Sequence, residues 1–323
     1  MKKFAIIGAA GYIAPRHMKA IKETGNTLVA ALDPYDGIGI MDSNFPEANF
    51  FTEFERFDRF VDKWSRKNGC KIDFISICSP NYLHDSHIRF ALKSGADVIC
   101  EKPLVLNPWN IEQLEEIEKE TGKKTNNIFQ LRLHPSMVAL KQKVQNELKV
   151  NPSKVYDIDL TYLTSRGKWY FVSWKGDMSK SGGIATNIGV HFYDMLCWIF
   201  GDVIENVVHL KTPYTNAGGL ILKHANVRWF LSVNQNYLPL KVKLAGQTTF
   251  RSIVVDGEEI EFSGGFADLH TRSYEEILKG NGFGLSEAYS SVETVSTIRN
   301  LAPIGLNGEY HPFCKKVIAK TYI

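Results

Sequence analysis

Short apolar runs alternate with amphipathic segments through the first 125 residues, and this alternation constrains the fold more than any other feature of the chain. The segment 53–67 shows the helical type, because Phe54, Phe57, Val61 and Trp64 fall on one face. Strand, helix and strand in succession predict βαβ units around a parallel sheet. The predicted strands are 4–7, 27–32, 73–78 and 97–100, and the predicted helices are 14–24, 53–67, 83–93 and 108–121.

The pattern changes beyond residue 125, and the length of 323 residues fits two domains. Strand-like runs separated by turn residues predict a large, mostly antiparallel sheet in an α+β domain. We therefore expect an α/β protein with an N-terminal domain of βαβ units over 1–125 and a second domain over 126–323. A sheet with one free face often pairs with another subunit, so we expect a homo-oligomer, with a tetramer favoured. The predicted strands are 154–164, 203–211, 219–222, 227–234, 242–245 and 251–255, and the predicted helices are 135–148, 189–200 and 285–300.

Composition excludes several classes of protein. The apolar fraction of 44%, the charged fraction of 23% and the net charge of +3 are ordinary for a globular chain, and no block of Lys or Arg indicates nucleic-acid or membrane binding. No apolar stretch is long enough to predict a membrane span. The cysteines are odd in number and form no Cys-x-x-Cys, so we expect reduced thiols in a cytoplasmic protein and no metal site. They are Cys70, Cys78, Cys100, Cys197 and Cys314.

A loop of small residues, Gly8-Ala9-Ala10-Gly11-Tyr12-Ile13-Ala14, joins the first strand to the first helix. Small residues let the backbone approach a pyrophosphate, and the helix N-terminus adds N–H donors and a positive dipole end. Gly8, Gly11, Tyr12 and Ile13 are therefore candidate cofactor residues. The loop departs from Gly-x-Gly-x-x-Gly, since its first two glycines are three apart and Ala14 replaces the last, so a plain tight turn is the alternative.

Asp33 ends the second strand, 22 residues after Gly11. A carboxylate at this position accepts hydrogen bonds from the adenosine ribose and repels a 2′-phosphate, which favours NAD over NADP. The alternative is a turn residue, because Pro34 follows. Strand, glycine loop, helix, strand and acid in this order predict that 1–125 is a Rossmann dinucleotide-binding domain.

Two further strands end in polar motifs, at the sheet edge where ligands bind in open α/β folds. One is Ser79-Pro80-Asn81-Tyr82-Leu83-His84, and the other is Cys100-Glu101-Lys102-Pro103. Asn81 caps the next helix or meets the nicotinamide ribose, and the Lys102 ammonium can polarise a substrate oxygen. The candidate cofactor residues here are Ser79, Asn81, His84, Glu101 and Lys102.

The chemistry of the second domain lies in the run 181–194. Asn187 and His191 are four residues apart and share a face if the segment is helical. His191 is a candidate catalytic residue, although a histidine in an apolar helix is more often part of the core. Asp194 is equally well explained as a structural hydrogen-bond partner.

Basic and aromatic residues cluster just before that run. They predict either a solvated loop with two core tryptophans or an anionic substrate site with planar stacking surfaces. The cluster comprises Arg166, Lys168, Trp169, Tyr170, Trp174 and Lys175, and Arg132 and His134 follow a predicted strand near the domain junction.

The motifs together resemble the glucose–fructose oxidoreductase/inositol dehydrogenase family over essentially the whole chain. The resemblance rests on the glycine loop, Ser79-Pro80-Asn81-x-x-His84, Glu101-Lys102-Pro103, Trp174-x-x-Asp177, Ser181-Gly182-Gly183 and Gly189-x-His191-x-x-Asp194. Within the family the chain is similar to the UDP-N-acetylglucosaminuronate dehydrogenases. This likeness rests on the loop through Pro15-Arg16-His17, on Thr164-Ser165-Arg166-Gly167 and on the run 183–191.

The resemblance implies NAD-dependent oxidation of the C3 hydroxyl of a UDP-sugar uronate for bacterial surface polysaccharide (O-antigen). The reduced cofactor is either released after each cycle or reoxidised in place by a second substrate, for which 2-oxoglutarate is the candidate. Lys102 would stabilise the C3 oxygen, and either His191 or Lys102 would take its proton. His191 is the better base, because the unperturbed pKa of histidine is about 6.5 and that of lysine about 10.4. Asn187 replaces the aspartate of many relatives and cannot be the base, so it would orient the sugar. The remaining substrate-binding candidates are Arg132, Arg166, Lys168 and Lys175 for the carboxylate or diphosphate, and Tyr170 and Trp174 for the uracil.

Three alternatives stay open at this point: a dehydrogenase of inositol or a free sugar, a non-catalytic NAD-binding homologue, and a short-chain dehydrogenase. The last requires Tyr-x-x-x-Lys on a helix. The spacing occurs between Tyr237 and Lys241, but Pro239 lies between them in strand-like sequence.

Overall fold

A computed structural model of the chain describes residues 1–36, 39–68, 71–262, 264–265 and 268–318. The chain divides into two compact units. The first combines Met1–Gln130 with Ala267–Tyr289, and the second combines Leu131–Phe266 with Ser290–Ile323. The sequence predicted a single boundary at residue 125, whereas the first unit also contains a late segment of the chain.

The strands, in chain order, are β1 (Lys3–Ile7), β2 (Thr27–Leu32), β3 (Asn49–Phe51), β4 (Phe74–Ile77), β5 (Asp97–Cys100), β6 (Thr125–Asn127), β7 (Tyr156–Thr164), β8 (Val203–Lys211), β9 (Thr215–Leu222), β10 (Ala225–Ser232), β11 (Thr249–Val255) and β12 (Glu258–Glu261).

The helices are α1 (Ala14–Glu23), α2 (Gly39–Asn44), α3 (Phe54–Asn68), α4 (His84–Lys93), α5 (Pro108–Thr121), α6 (Pro135–Val150), α7 (Trp169–Val172), α8 (Met178–Ser181), α9 (Val190–Phe200), α10 (Leu240–Leu244), α11 (Leu269–Leu278), α12 (Leu285–Asn300) and α13 (Cys314–Ile318). A π-helical turn, Ala185–Gly189, precedes α9, and short 3₁₀ turns occur at Asn81–Leu83, Gln130–Leu133 and Gln235–Tyr237.

The sheet of the first unit is parallel, as predicted, with the order β3-β2-β1-β4-β5-β6. The order reverses between β1 and β4, and in a doubly wound fold the ligand crevice opens at the carboxyl ends of the strands there. Gly8, Asp33 and Ser79 follow three neighbouring strands at this edge. The predicted Rossmann fold is confirmed.

Helix α11 packs against α1 within the first unit. Its Tyr274 and Ile277 are buried in the same apolar cluster as Phe4 and Met18, and the rings of Tyr274 and Phe4 stack with their centroids 5.8 Å apart. Apolar burial of about 1.5–3 kcal/mol per large side chain explains why this late segment returns to the first unit.

The sheet of the second unit has the order β12-β11-β7-β10-β9-β8, and only the β7–β10 pair is parallel among these neighbours. The predicted mostly antiparallel sheet is therefore confirmed. The predicted strand 242–245 is wrong, because 242–244 belong to α10 and Ala245 is the C-cap of that helix. Pro239 stands at the N-cap of that helix and Val242 alone of its apolar residues is buried, with Leu240 71% exposed.

Both faces of this sheet carry apolar side chains. One face packs on α6 and α9 in a large core. The other contributes Leu163 and Phe230 to a smaller cluster with Tyr237 and Cys314. The free sheet face expected for subunit pairing is thus partly covered by the chain itself, and the predicted homo-oligomer stays a prediction.

The predicted free thiols are present in the described ranges, where Cys78, Cys100, Cys197 and Cys314 form no disulfide; Cys70 lies outside the described residues. Among those residues, no helix has both the length and the apolar content that a membrane crossing requires.

Candidate active site

The glycine loop joins three strand ends of the first unit. Gly8 has φ of +88°, and a Cβ there would lie 2.6 Å from the backbone of Cys78 and Ser79, so only glycine fits. The N–H groups of Gly8 and Ala9 donate to the Leu32 carbonyl at 2.8 and 3.1 Å. The loop after β1 is therefore fixed against the ends of both β2 and β4.

The N-terminus of α1 offers donors for an anion. In the part of the chain that the structure describes, the backbone N–H groups of Tyr12 and Ile13 donate to no protein acceptor. Such groups at the start of a helix, next to its positive dipole end, bind phosphates. The geometry fits the pyrophosphate of a dinucleotide.

Asp33 lies beside this loop, and its side chain is buried. Its Oδ2 accepts from the Ala10 N–H and its Oδ1 from the Tyr35 N–H, both at 2.9 Å. Asp33 therefore shapes the turn after β2, as one of its two interpretations predicted. Each carboxylate oxygen can accept a further hydrogen bond, and the contact with a ribose stays a prediction.

The histidines of the Ser79 motif fix this edge of the sheet. His84, 1% exposed, lies between two backbone carbonyl oxygens, 2.7 Å from that of Pro103 and 2.9 Å from that of Ser79. The predicted cofactor contact of His84 is replaced by a structural one, because both ring nitrogens face the protein. The Ser79 hydroxyl in turn lies 2.9 Å from Nδ1 of His87.

Asn81 was predicted to cap α4 or to contact the cofactor. The capping interpretation is wrong, because the N-cap of α4 is Leu83, and Asn81 begins the preceding 3₁₀ turn. The side chain of Asn81 is buried at the carboxyl edge of the sheet, after β4.

Glu101 and Lys102 follow β5. Lys102 is partly exposed, whereas Glu101 is buried. Oε1 of Glu101 lies 3.0 Å from Nε2 of His17 and 2.9 Å from Nε2 of His270, and its Oε2 accepts from the Lys102 N–H at 3.2 Å. The structure turns Glu101 toward these protein groups, in place of the predicted cofactor contact.

The candidate residues of the second unit surround the start of α9. Gly182 and Gly183 have positive φ angles, and the chain then enters the π turn. Asn187 lies in this turn and His191 lies in the first turn of α9, so the predicted regular helical spacing between them is interrupted. Single π turns in α-helices occur frequently at functional sites.

Asn187 is buried, and its Nδ2 donates to the Tyr170 hydroxyl at 3.1 Å. Tyr170 is only 2% exposed, so the predicted stacking of its ring on uracil is wrong. Burial raises the pKa of Tyr170, which therefore stays a neutral phenol and orients the amide of Asn187.

Arg132 forms a buried ion pair with Asp194. Its Nε and Nη2 donate to Oδ2 and Oδ1 of Asp194 at 3.0 and 2.6 Å. Burial raises the pKa of Asp194 to about 6, against the opposing effects of Arg132 and Lys141. The predicted substrate contact of Arg132 is therefore replaced by a structural one that fixes α9, three residues beyond His191.

The basic and aromatic residues divide by exposure. Arg166, Lys168 and Trp169 are exposed, and Trp174 and Lys175 are partly buried. The Lys175 ammonium lies 4.8 Å from the ring centre of Trp174 and 5.6 Å from that of Trp169. Two core tryptophans are thus excluded, and the anionic substrate site stays a prediction. His134, which was noted with Arg132, is buried and contacts the Gly264 carbonyl at 2.9 Å.

The histidine partners of Glu101 were not predicted from the sequence. His17 lies next to the glycine loop, but nothing in its neighbourhood indicates Glu101 as its partner. His270 lies on α11, 169 residues after Glu101, and no local pattern connects the two.

The chain matches two family profiles. Residues 2–129 match the oxidoreductase family with an NAD-binding Rossmann fold (GFO_IDH_MocA), and residues 152–226 match the C-terminal α/β domain of the same family.

Solved structures and known enzymes give further likenesses. A WlbA (WbpB) dehydrogenase from Thermus thermophilus, in complex with NAD and α-ketoglutarate, is 50% identical with a TM-score of 0.93, covering 97% of this chain and 100% of that chain. Its complex with NAD and UDP-GlcNAcA is 49% identical with a TM-score of 0.92 and the same coverage. The D-glucoside 3-dehydrogenase of Escherichia coli is 25% identical over 200 residues, which is 62% of this chain and 54% of that protein.

This chain thus spans about half the length of the curated relatives that it matches, and the full length of the Thermus thermophilus structures. The profiles, the sheet order and the glycine loop agree, and the chain belongs to the oxidoreductase family that combines an NAD-binding Rossmann fold with a C-terminal α/β domain.

Proposed function

We propose that this chain is an NAD-dependent dehydrogenase that oxidises the C3 hydroxyl of UDP-N-acetylglucosaminuronate to the 3-keto sugar. The observation that carries the proposal is the 49% identity, over 97% of the chain, to a dehydrogenase whose structure contains NAD and UDP-GlcNAcA.

The first unit would hold the cofactor. The N–H groups at the start of α1 suit its pyrophosphate, and Asp33 suits the hydroxyls of its adenosine ribose. Ser79, Asn81 and Lys102 follow β4 and β5 at the same sheet edge. Bound NAD supplies the acceptor for the hydride that leaves the sugar carbon.

Lys102 and His191 would handle the hydroxyl. An ammonium stabilises the negative charge that develops on oxygen as the proton leaves, which is the role we assign to Lys102. His191 is the better base, because the unperturbed pKa of histidine is about 6.5 and that of lysine about 10.4. Asn187, held by Tyr170, would orient the sugar.

The uronate and the diphosphate are anions, and the second unit offers cations for them. Arg166 and Lys168 are exposed, and Lys175 lies beside the rings of Trp174 and Trp169. Guanidinium and ammonium groups pair with carboxylate and phosphate, and one of the two tryptophans would stack on the uracil.

We further propose that 2-oxoglutarate reoxidises the reduced cofactor, since a 50% identical dehydrogenase is known with α-ketoglutarate bound. The product would serve the synthesis of bacterial surface polysaccharide (O-antigen). We expect the enzyme itself to be a cytoplasmic homo-oligomer, with a tetramer favoured.

The test is to incubate the protein with NAD and UDP-N-acetylglucosaminuronate, with and without 2-oxoglutarate, and to look by mass spectrometry for a nucleotide sugar lighter by two hydrogens. We expect that product, in larger amount with 2-oxoglutarate. Lys102→Ala and His191→Ala should each lower turnover by roughly 10²-fold or more, whereas His224→Ala, a partly exposed histidine of the second unit, should not. Absence of the product in both samples, with NAD bound, would direct the substrate search to inositols and free sugars.

A further inference from the structure

A buried cluster of His17, Glu101 and His270 adjoins the proposed reactive lysine. The three side chains come from α1, the end of β5 and α11, and they are 0%, 6% and 3% exposed. The Nε2 atoms of both histidines face the same oxygen, Oε1 of Glu101, at 3.0 and 2.9 Å. All three belong to the first unit.

The cluster continues as a chain of hydrogen bonds into the sheet. Nδ1 of His17 lies 2.7 Å from the Tyr274 hydroxyl, which lies 2.6 Å from the hydroxyl of Ser76 on β4. A carboxylate oxygen only accepts, so both Nε2 atoms carry hydrogens. Neutral His17 then accepts from Tyr274, and Tyr274 accepts from Ser76.

The charge of the cluster lies on Glu101. Burial alone would raise the pKa of this carboxyl, but the hydrogen bonds from His17 and His270 outweigh it and hold the pKa well below its usual range. Burial lowers the pKa of His17, which is therefore neutral at pH 7. Glu101 is thus a fixed anion whose second oxygen accepts the N–H of the next residue, Lys102.

We propose that His17 and His270 are positioning residues, which clamp Glu101 so that its carboxylate fixes the backbone of Lys102 and favours the ammonium form of that lysine. The proposal deepens the proposed function, since it rests on the role of Lys102 there. Neither histidine would touch substrate or cofactor, and both would act through Glu101.

The same three groups have the composition of a metal site, and their ligand atoms lie within 4.8 Å of one another. We favour a hydrogen-bonded cluster over a metal site, because the Nε2 atoms of His17 and His270 already lie at hydrogen-bond distance from Oε1 of Glu101. The other oxygen of Glu101 accepts the backbone N–H of Lys102. Elemental analysis of the purified protein decides between them, and one equivalent of bound zinc or another transition metal per chain would overturn the proposal.

The main test compares leucine and glutamine at each histidine. His17→Leu and His270→Leu remove a donor to Glu101, whereas His17→Gln and His270→Gln keep an N–H group that can reach it. We expect kcat in the leucine variants to fall about tenfold or more, with the sugar KM and the NAD Kd within about threefold of wild type, and the glutamine variants to recover most of kcat. His311→Leu removes a buried histidine of the second unit and should leave kcat unchanged.

A second readout does not depend on catalysis. The rate at which an amine reagent modifies Lys102 at pH 8, followed by peptide mass spectrometry, reports the fraction of free amine. Glu101→Gln keeps the size of the side chain but removes the charge, so we expect modification about tenfold faster, the change that one pKa unit gives. The leucine variants should change in the same direction, and His311→Leu should not change.

The outcomes separate the two proposals. Unchanged kcat and unchanged labelling in folded leucine variants and in Glu101→Gln would overturn the positioning role. If wild type fails to oxidise the sugar, the proposed substrate is wrong, and the labelling rates still decide whether the cluster controls Lys102. If the leucine variants do not fold, Glu101→Gln carries the test.

Discussion

The buried ion pair between Arg132 and Asp194 gives the sharpest prediction about stability. Its side chains are 8% and 2% exposed and share two hydrogen bonds, of 3.0 and 2.6 Å. The change Arg132→Met keeps the apolar stem but removes the guanidinium, and it leaves the Asp194 carboxylate buried.

The size of the effect follows from the cost of an unpaired buried charge. Removing one partner of a buried pair costs about 3–5 kcal/mol. In a unit of about 150–250 residues, 1 kcal/mol shifts Tm by roughly 2–4 °C, so Tm should fall by about 6–20 °C. The pKa of Asp194 is raised to about 6 even with Arg132 present, so the folded state favours the protonated carboxyl. The destabilisation caused by Arg132→Met should therefore shrink as pH falls from 7 to 5.

The assay is thermal and urea unfolding of wild type, Arg132→Met and a control. Lys143→Met is the matched control, because Lys143 pairs with Glu258 at 2.9 Å but both side chains are more than half exposed; it should leave the free energy of unfolding nearly unchanged. The double change Arg132→Met with Asp194→Leu should recover much of the loss. The reasoning is refuted if Arg132→Met unfolds within about 1 kcal/mol of wild type, or if the control is equally affected.

Three further predictions concern other parts of the chain. Burial lowers the pKa of His311 to about 4. The folded protein therefore keeps its full stability above pH 6.5 and loses stability as the pH falls toward 4, because His311 is then protonated only in the unfolded chain. In urea titrations at several pH values, His311→Gln should remove about 3 kcal/mol of this pH dependence, and an unchanged dependence of the free energy of unfolding on pH would contradict the prediction. Gly8→Ala should weaken NAD binding by about tenfold or more in calorimetry, because the new Cβ would lie 2.6 Å from the backbone of Cys78 and Ser79. The control Gly25→Ala also has a positive φ but open space around the new Cβ, so it should lose about 1 kcal/mol of stability and no NAD affinity. Tyr170→Phe removes the hydroxyl that holds Asn187, a bond of about 1 kcal/mol, so kcat/KM should fall roughly fivefold, and an equal value would remove Tyr170 from the site.

Local patterns predicted much of the first unit. Four of its strands and the glycine loop follow from apolar runs and turn residues within a few positions of one another. The strands β3 and β6 were missed, since each is three residues long and shows no alternation. The segment 242–245 resembles a strand, because apolar and polar residues alternate over Val242, Lys243 and Leu244. So short an alternation fits one turn of helix after Pro239 equally well.

The partners of the site residues were harder to predict. Arg132 and Glu101 were both assigned to ligands, because each has the charge and the place in the sequence that a ligand contact requires. Their partners, Asp194 and His270, lie 62 and 169 residues further along the chain. Contacts over such distances depend on how the elements pack, and no spacing rule in a single sequence reveals them.

The proposed reaction transfers a hydride from C3 of the sugar to NAD, and isotope labelling tests this transfer most directly. UDP-N-acetylglucosaminuronate with deuterium at C3 would be turned over with NAD, and the reduced cofactor and the sugar product would be weighed by mass spectrometry. We expect the sugar product to carry no deuterium at C3. The deuterium should appear on the reduced cofactor, and it should move to 2-hydroxyglutarate when 2-oxoglutarate is present. Unlabelled reduced cofactor together with a sugar product that keeps its deuterium would contradict it.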